Sequence, residues 1–391
     1  MPFFGKKTLA TLGMLMFSST AFIQQTAALA GSTYASSISE CPQLTPRTTG
    51  PTSPRDLRPD DIKVIAALGD SIMAGFALEG INDGEGGTGI LNISAVTEFR
   101  GQSWGIGGDD GAITLANFVN HYNSSLEGPS EGSHIATICH GTLCLDMFRN
   151  PKVDVLNAAL SGAIAMNLDD ELDYLIPRMK ELPNVNFETD WKMITIQIGS
   201  NDQCASCLNP FSGEVTTEKF GGYIEAAIER IRNEVPRVLV NLAGSFHVSD
   251  VYELTKGQEY CRPLFNNPDA ILNRVECSCF LEAGDALTRM DALSDSYNDQ
   301  IMNVYNKYKA QESDQFALRY TPANINVGGF PLEVMSNVDC FHPGKLAHQW
   351  VAKVIWNTLF LSQAEFPEGK LEYDANQQIY CPTDDDRFRV D

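Results

Sequence analysis

Short, nearly unbroken apolar runs alternate with longer amphipathic stretches along most of the chain. Residues 62–69 (IKVIAALG), 153–160 (VDVLNAAL), 191–199 (WKMITIQIG), 235–244 (VPRVLVNLAG) and 316–322 (FALRYTP) are read as buried strands. Each is short, rich in aliphatic and β-branched residues, and most end in turn residues. Between them, 168–182, 220–234 and 285–310 carry helical spacing, and 343–361 is read as a final helix with Pro343 in its first turn. Strands alternating with helices predict an α/β fold: a three-layer α/β/α sandwich around a central parallel sheet of about five strands. Such sheets bind ligands at the carboxyl ends of their strands.

The flanks follow other patterns. Lys6 and Lys7 precede a mostly apolar run, Thr8 to Phe22, and Ala28-Leu29-Ala30 offers a small-residue cleavage site before Gly31. That is the layout of a secretory signal peptide over 1–30. The run is shorter than the ~20 residues a spanning helix needs, which weighs against a membrane anchor. No later segment is long and apolar enough to span, so stable membrane insertion is not expected. Residues 31–60, rich in Ser, Thr and Pro, are read as an extended leader tied down by Cys41. The main domain is placed at 61–362, and 363–391 is read as a polar C-terminal tail.

Cysteine usage agrees with export. All ten cysteines follow the predicted cleavage point, and an even number in an exported chain suggests disulfides. Cys139 with Cys144 and Cys204 with Cys207 are the close pairs expected. A zinc site from Cys204-x-x-Cys207 and Cys277-x-Cys279 is the rival, weakened by the spacing of the second pair and by the lack of flanking histidines. The sequons at Asn92 and Asn123 fit a eukaryotic secretory route. The net charge of -22 disfavours nucleic acid and anionic membranes as partners and favours neutral or zwitterionic ones. Asn82 to Gly87 (NDGEGG) lacks the spacing of a calcium loop, and no metal or cofactor is expected.

Candidate chemistry gathers at predicted strand ends. Ser71 follows the first strand in Gly69-Asp70-Ser71. Alone, that tripeptide is common and Ser71 reads equally as a helix cap, since a serine nucleophile needs a base and an orienting acid. Asn337 to Gly344 (NVDCFHPG) supplies both within one loop: His342 to take the Ser71 proton, Asp339 to orient the imidazole. After 191–199 stands Asn201, whose amide can donate to an oxyanion; after 153–160 stands Gly162, whose backbone N–H can do the same beside that of Ser71. Separately, Asn201 reads as an Asx-turn and Gly162 as a plain turn. Asp70 is read as a loop-holding residue. Trp104 with Gly105 to Gly111 is read either as a loop over the site or as core packing and a turn.

Taken in order, Ser71, Gly162, Asn201 and Asp339-x-x-His342 resemble the four blocks of the SGNH or GDSL hydrolases, over roughly Ile62 to Leu361. EFRGQSWGIGGDDG (98–111), IGSNDQCASC (198–207) and VDCFHPG (338–344) are similar to the phospholipase B-type branch of that superfamily. The resemblance implies a flavodoxin-like sandwich and metal-free hydrolysis of acyl esters of phospholipids and lysophospholipids. Ser71 would be the nucleophile, Asp339 and His342 would complete the triad, and Ser71, Gly162 and Asn201 would form the oxyanion hole. Met73 stands where the branch usually has threonine before Ala74-Gly75, a change expected at the pocket mouth. Animal members often carry several repeats and a membrane anchor; one unit without an anchor is read here. A carbohydrate O-acetylesterase, and a non-catalytic secreted lipid- or glycan-binding protein, are the alternative functions.

Overall fold

The computed structural model describes residues 33–81, 96–144, 149–208, 210–261, 267 and 271–391. The expected signal peptide, the Asn92 sequon and the whole Asn82-to-Gly87 stretch lie outside the described residues.

Four parallel strands form the central sheet: β1 (Ile62–Gly69), β2 (Trp191–Gln197), β3 (Val238–Ala243) and β4 (Phe316–Thr321), side by side in chain order. One ladder runs through Ala66, Ile194, Val240 and Leu318. Alternation assigns each side chain to a layer. Val64, Ala66, Leu68, Ile194, Ile196, Val240 and Leu318 face a core built with α3 (Leu168–Glu181), α5 (Thr217–Glu234) and α6 (Asp285–Lys309). Ile65, Ala67, Met193, Leu239 and Ala317 face the opposite core, which includes α2 (Leu115–Tyr122) and α7 (Lys345–Thr358). Both faces are covered, which is why the strands read as continuous apolar runs. The expected three layers are present.

The stretch 153–160 departs from the expected strand. Pro151–Asp154 is a single helical turn, ended by Val155 at φ +49°. Asp154 accepts the Asn150 N–H and pairs with Arg100 and His134, which fixes the turn. Leu156 to Leu160 then runs along the edge of β1, joined through Ala67 and Gly69, without becoming a regular strand. Pro343 lies just before α7, whose N-cap is Gly344, rather than inside its first turn.

The ends of the domain are tied to one another. Cys41 is bonded to Cys381, and Thr33–Ala35 pairs antiparallel with Ile379–Cys381. Phe388 and Val390 are buried in the α7-side core. Buried Arg319 of β4 donates to the carbonyls of Thr358, Leu361 and Arg389, joining the end of α7 to the C-terminal segment. Cys139 pairs with Cys144 as expected, but Cys204 pairs with Cys277 and Cys207 with Cys279. A two-residue spacer on the turn of α4 (Ser200–Ala205) aims both thiols at one neighbouring segment, and its Cys-x-Cys takes both. Those four sulfurs are thereby unavailable to zinc. Among the described residues no helix is long and apolar enough to cross a membrane.

Candidate active site

Ser71 opens a short helix, α1 (Ser71–Ala74), directly after β1. Asp70 caps it, its carboxylate accepting the Ile72 N–H at 3.0 Å. Gly69 is required before it: at φ +155°, a Cβ would lie 2.3 Å from the Gln197 carbonyl oxygen. The hydroxyl of Ser71 donates to His342 Nε2 at 2.7 Å, and His342 Nδ1–H donates to Asp339 Oδ2 at 2.7 Å. The Nδ1 contact with a carboxylate leaves the Nε2 lone pair to accept from the serine. All three side chains are buried. Phe76 and Phe341 pack on the His342 ring at centroid distances of 4.7 and 5.1 Å.

The loop carrying Asp339 and His342 is held by its own backbone. Asp339 Oδ1 accepts the N–H groups of Phe341 and His342 at 2.9 and 3.1 Å. Burial opposes the Asp339 charge, but the imidazole and these N–H donors outweigh it and hold its pKa below the ordinary carboxylate value. Burial likewise opposes the imidazolium of His342, yet the Asp339 carboxylate raises its pKa above the ordinary 6.5. Between them, Cys340 is in the left-handed region at φ +51°, bonded to Cys261 and with its carbonyl accepting from Asn273.

The remaining residues picked out from the sequence meet at the same place. Ser71, His342, Gly162 and Asn201 share one cleft of about 480 Å³. Asn201 Nδ2 donates one hydrogen to the Ala163 carbonyl at 3.0 Å; an amide nitrogen has a second. Gly162 sits at φ +87°, where a Cβ would come 2.7 Å from the Cys139 carbonyl oxygen. His140, unmarked in the sequence, donates from Nδ1 to the Gly162 carbonyl at 2.8 Å.

Buried acids behind the cleft were also missed. Asp202 accepts the Ala165 N–H at 3.1 Å, joining the Asn201 block to the Gly162 loop. Glu171 accepts the Gly69 N–H at 2.8 Å. Burial pushes the Asp70 carboxyl up to about 6 and the Asp202 carboxyl up to about 7, and raises Glu171 well above its ordinary value. Glu98 accepts from Ser161 at 2.6 Å and from Arg100 at 2.7 Å. Arg100 also donates to the carbonyls of Asn157 and Ala159 at 3.0 and 2.9 Å, fixing the path into Gly162. The string EFRG was the sole trace of this network in the sequence.

One expectation changes: Met73 is buried in the α7-side core instead of lying at the pocket mouth. Of the two readings of Trp104, core packing holds: its side chain is buried and its backbone N–H donates to His348 Nδ1. It borders a separate apolar cavity of about 100 Å³ beside α7 that Ser71 does not line.

Residues 65–355 match the family model of GDSL-like lipases and acylhydrolases. The chain belongs to this family. It is 30% identical over 354 residues to membrane-associated phospholipase B1 of Mus musculus, covering 88% of this chain and 22% of that protein. It is 30% identical over 363 residues to the Homo sapiens protein of that name, covering 89% and 23%. The chain therefore spans less than a quarter of the length of these curated relatives. Among solved structures, a GDSL-like lipase of Parabacteroides merdae aligns at a TM-score of 0.40 and 14% identity, covering 76% of this chain and 95% of that one.

Proposed function

We propose that this chain is an exported hydrolase of phospholipid and lysophospholipid acyl esters, acting through Ser71, His342 and Asp339. The observation that carries the mechanism is the unbroken hydrogen-bond chain from the Ser71 hydroxyl through both ring nitrogens of His342 to Asp339. It lies in the one cleft that also holds Gly162 and Asn201. Ser71 Oγ attacks the acyl carbonyl carbon as its proton passes to His342 Nε2. The carbonyl oxygen gains the negative charge, and the backbone N–H groups of Ser71 and Gly162 and the second Asn201 hydrogen stabilise it. Each such donor contributes about 3 kcal/mol in the transition state. Asp339 stabilises the imidazolium while His342 returns the proton to the departing alcohol. Water, deprotonated by His342, then attacks the acyl-serine and releases the carboxylic acid and Ser71. No step requires a metal or cofactor.

The phospholipid substrate is supported by kinship with the phospholipase B1 proteins, and export by the five disulfides and the leader pattern. Purified protein should release fatty acid from lysophosphatidylcholine, and Ser71→Ala should not. Acetate release from acetylated sugars without fatty-acid release would move the substrate to carbohydrate. Secreted protein should begin at Gly31; retention in the cell with residues 1–30 intact would refute export.

A further inference from the structure

We infer that the wall around the catalytic cleft is a docking surface for a zwitterionic lipid interface, an inference that rests on the lipid-ester reading of the same site. Four side chains lining the cleft are large, apolar and exposed: Ile138 at 59%, Leu208 at 42%, Val275 at 80% and Leu281 at 68%. Leu143, opposite His140 in the Cys139–Cys144 hairpin, is exposed to 68%. Isolated exposed aliphatics are ordinary on a protein surface; a cluster rimming a cleft marks an interaction site.

The supports of these side chains are independent evidence. Ile138 and Leu143 each adjoin a cysteine of the Cys139–Cys144 bond. Leu208 follows Cys207, Val275 lies two residues before Cys277, and Leu281 lies two residues after Cys279. The short helices Asn273–Glu276 and Cys279–Glu282 are thus anchored to the end of α4 and the residues just after it by two covalent bonds. A loop would ordinarily be fixed by burying its aliphatic residues. Here cystines anchor the backbone while these aliphatics remain at the surface.

Charge selects the kind of interface. Among the described residues the cleft walls include one arginine, Arg274, and one glutamate, Glu276, and the formal charge of this pair cancels. The whole chain, at -22, is repelled by an anionic surface. A neutral, zwitterionic surface such as phosphatidylcholine lets the aliphatics leave water without that repulsion. Docking there would bring the mouth of the cleft against the source of acyl chains.

Binding can be measured without turnover by placing Ser71→Ala in every protein compared. Sedimentation with dioleoylphosphatidylcholine vesicles should show binding by the Ser71→Ala parent. Adding Val275→Ser and Leu281→Ser should weaken it about 100-fold, roughly tenfold for each side chain withdrawn from the interface. Tyr34→Ser, an exposed aromatic that does not line the cleft, should leave it within twofold. Matching far-ultraviolet circular dichroism and melting temperatures establish that the variants are folded, and Ile138→Ser replaces any that is not. Unchanged binding in the rim variants, or absence of parent binding, overturns the proposal. So does a parent dimer that the rim substitutions dissociate without affecting vesicle binding. Wild-type protein that binds these vesicles through the rim yet releases no fatty acid would preserve docking and reject the lipid-hydrolysis reading.

Discussion

Replacing Gly162 with alanine tests whether the loop geometry serves the chemistry. At φ +87° an L side chain is strained, a penalty of about 1–2 kcal/mol. The new Cβ would also meet the Cys139 carbonyl oxygen at 2.7 Å, about 0.7 Å inside ordinary contact. That oxygen has little freedom, because Cys139 is bonded to Cys144 and its N–H donates to the Ser161 carbonyl. The Gly162 loop must move instead. It carries the Gly162 N–H and the Ala163 carbonyl that orients Asn201, so the two donors proposed for the oxyanion shift together. A displacement approaching 1 Å can reduce the rate about 100-fold, and loss of one donor about 100- to 1,000-fold. We therefore expect kcat on a soluble ester to fall between about 100- and 1,000-fold, with KM changing less than about threefold, because the donors act chiefly on developing charge. The assay is steady-state hydrolysis of p-nitrophenyl butyrate, with melting temperature recorded for each protein. Gly222→Ala in α5, where a Cβ meets nothing within 4 Å, is the control and should be neutral or slightly stabilising. A folded Gly162→Ala enzyme with kcat within threefold of wild type would refute the assigned role of this loop.

Other substitutions separate the remaining contributions. Asp339→Asn should lower kcat by about four orders of magnitude, by analogy with serine triads whose acid is replaced. The rate of wild-type enzyme should rise with pH as His342 loses its proton, with a midpoint above 6.5; a midpoint at or below 6.5 would contradict the Asp339 effect. Asp202, whose carboxyl is raised from 3.8 to about 7, binds a proton in the fold that the unfolded chain has already released. Its stabilising proton is fully present below about pH 4 and lost as pH rises through about 7, a contribution on the order of 4 kcal/mol. Asp202→Asn should flatten denaturant stability between pH 5 and 8, and an unchanged slope would refute this reading. Replacing Cys261 and Cys340 with serine opens a connection spanning 79 residues. It should destabilise by about 4 kcal/mol and reduce kcat by loosening the Asp339–His342 loop; a melt and rate equal to wild type would contradict that coupling.

The four strands were legible because alternate residues must fill both cores, leaving apolar runs such as Ile62 to Gly69 unmistakable. The same composition misled at 153–160, where the apolar residues are buried along an edge while Asp154 and Val155 break the strand. The proposed nucleophile, base and acid could be named because Ser71 follows a strand that ends in Gly69 and because Asp339 and His342 stand three residues apart in one loop. Their supports could not. Glu98, Arg100, Glu171 and Asp202 are charged residues, which in a sequence resemble a solvated face, and only contacts distant along the chain reveal them as buried. The reverse holds at the cleft mouth: Val275 and Leu281 are aliphatic yet exposed, beside cystines that hold their backbone. Cys204 and Cys207 were too close in sequence to distinguish pairing with each other from pairing with a second segment.

The central claim is that Ser71 is the atom that takes the acyl group. Wild-type protein treated with a fluorophosphonate, digested and analysed by mass spectrometry should carry one adduct per chain, on the peptide containing Ser71, with ester hydrolysis lost in proportion. Ser71→Ala should take no adduct and hydrolyse no ester. Stoichiometric labelling at another residue, or ester hydrolysis retained by Ser71→Ala, would contradict the account.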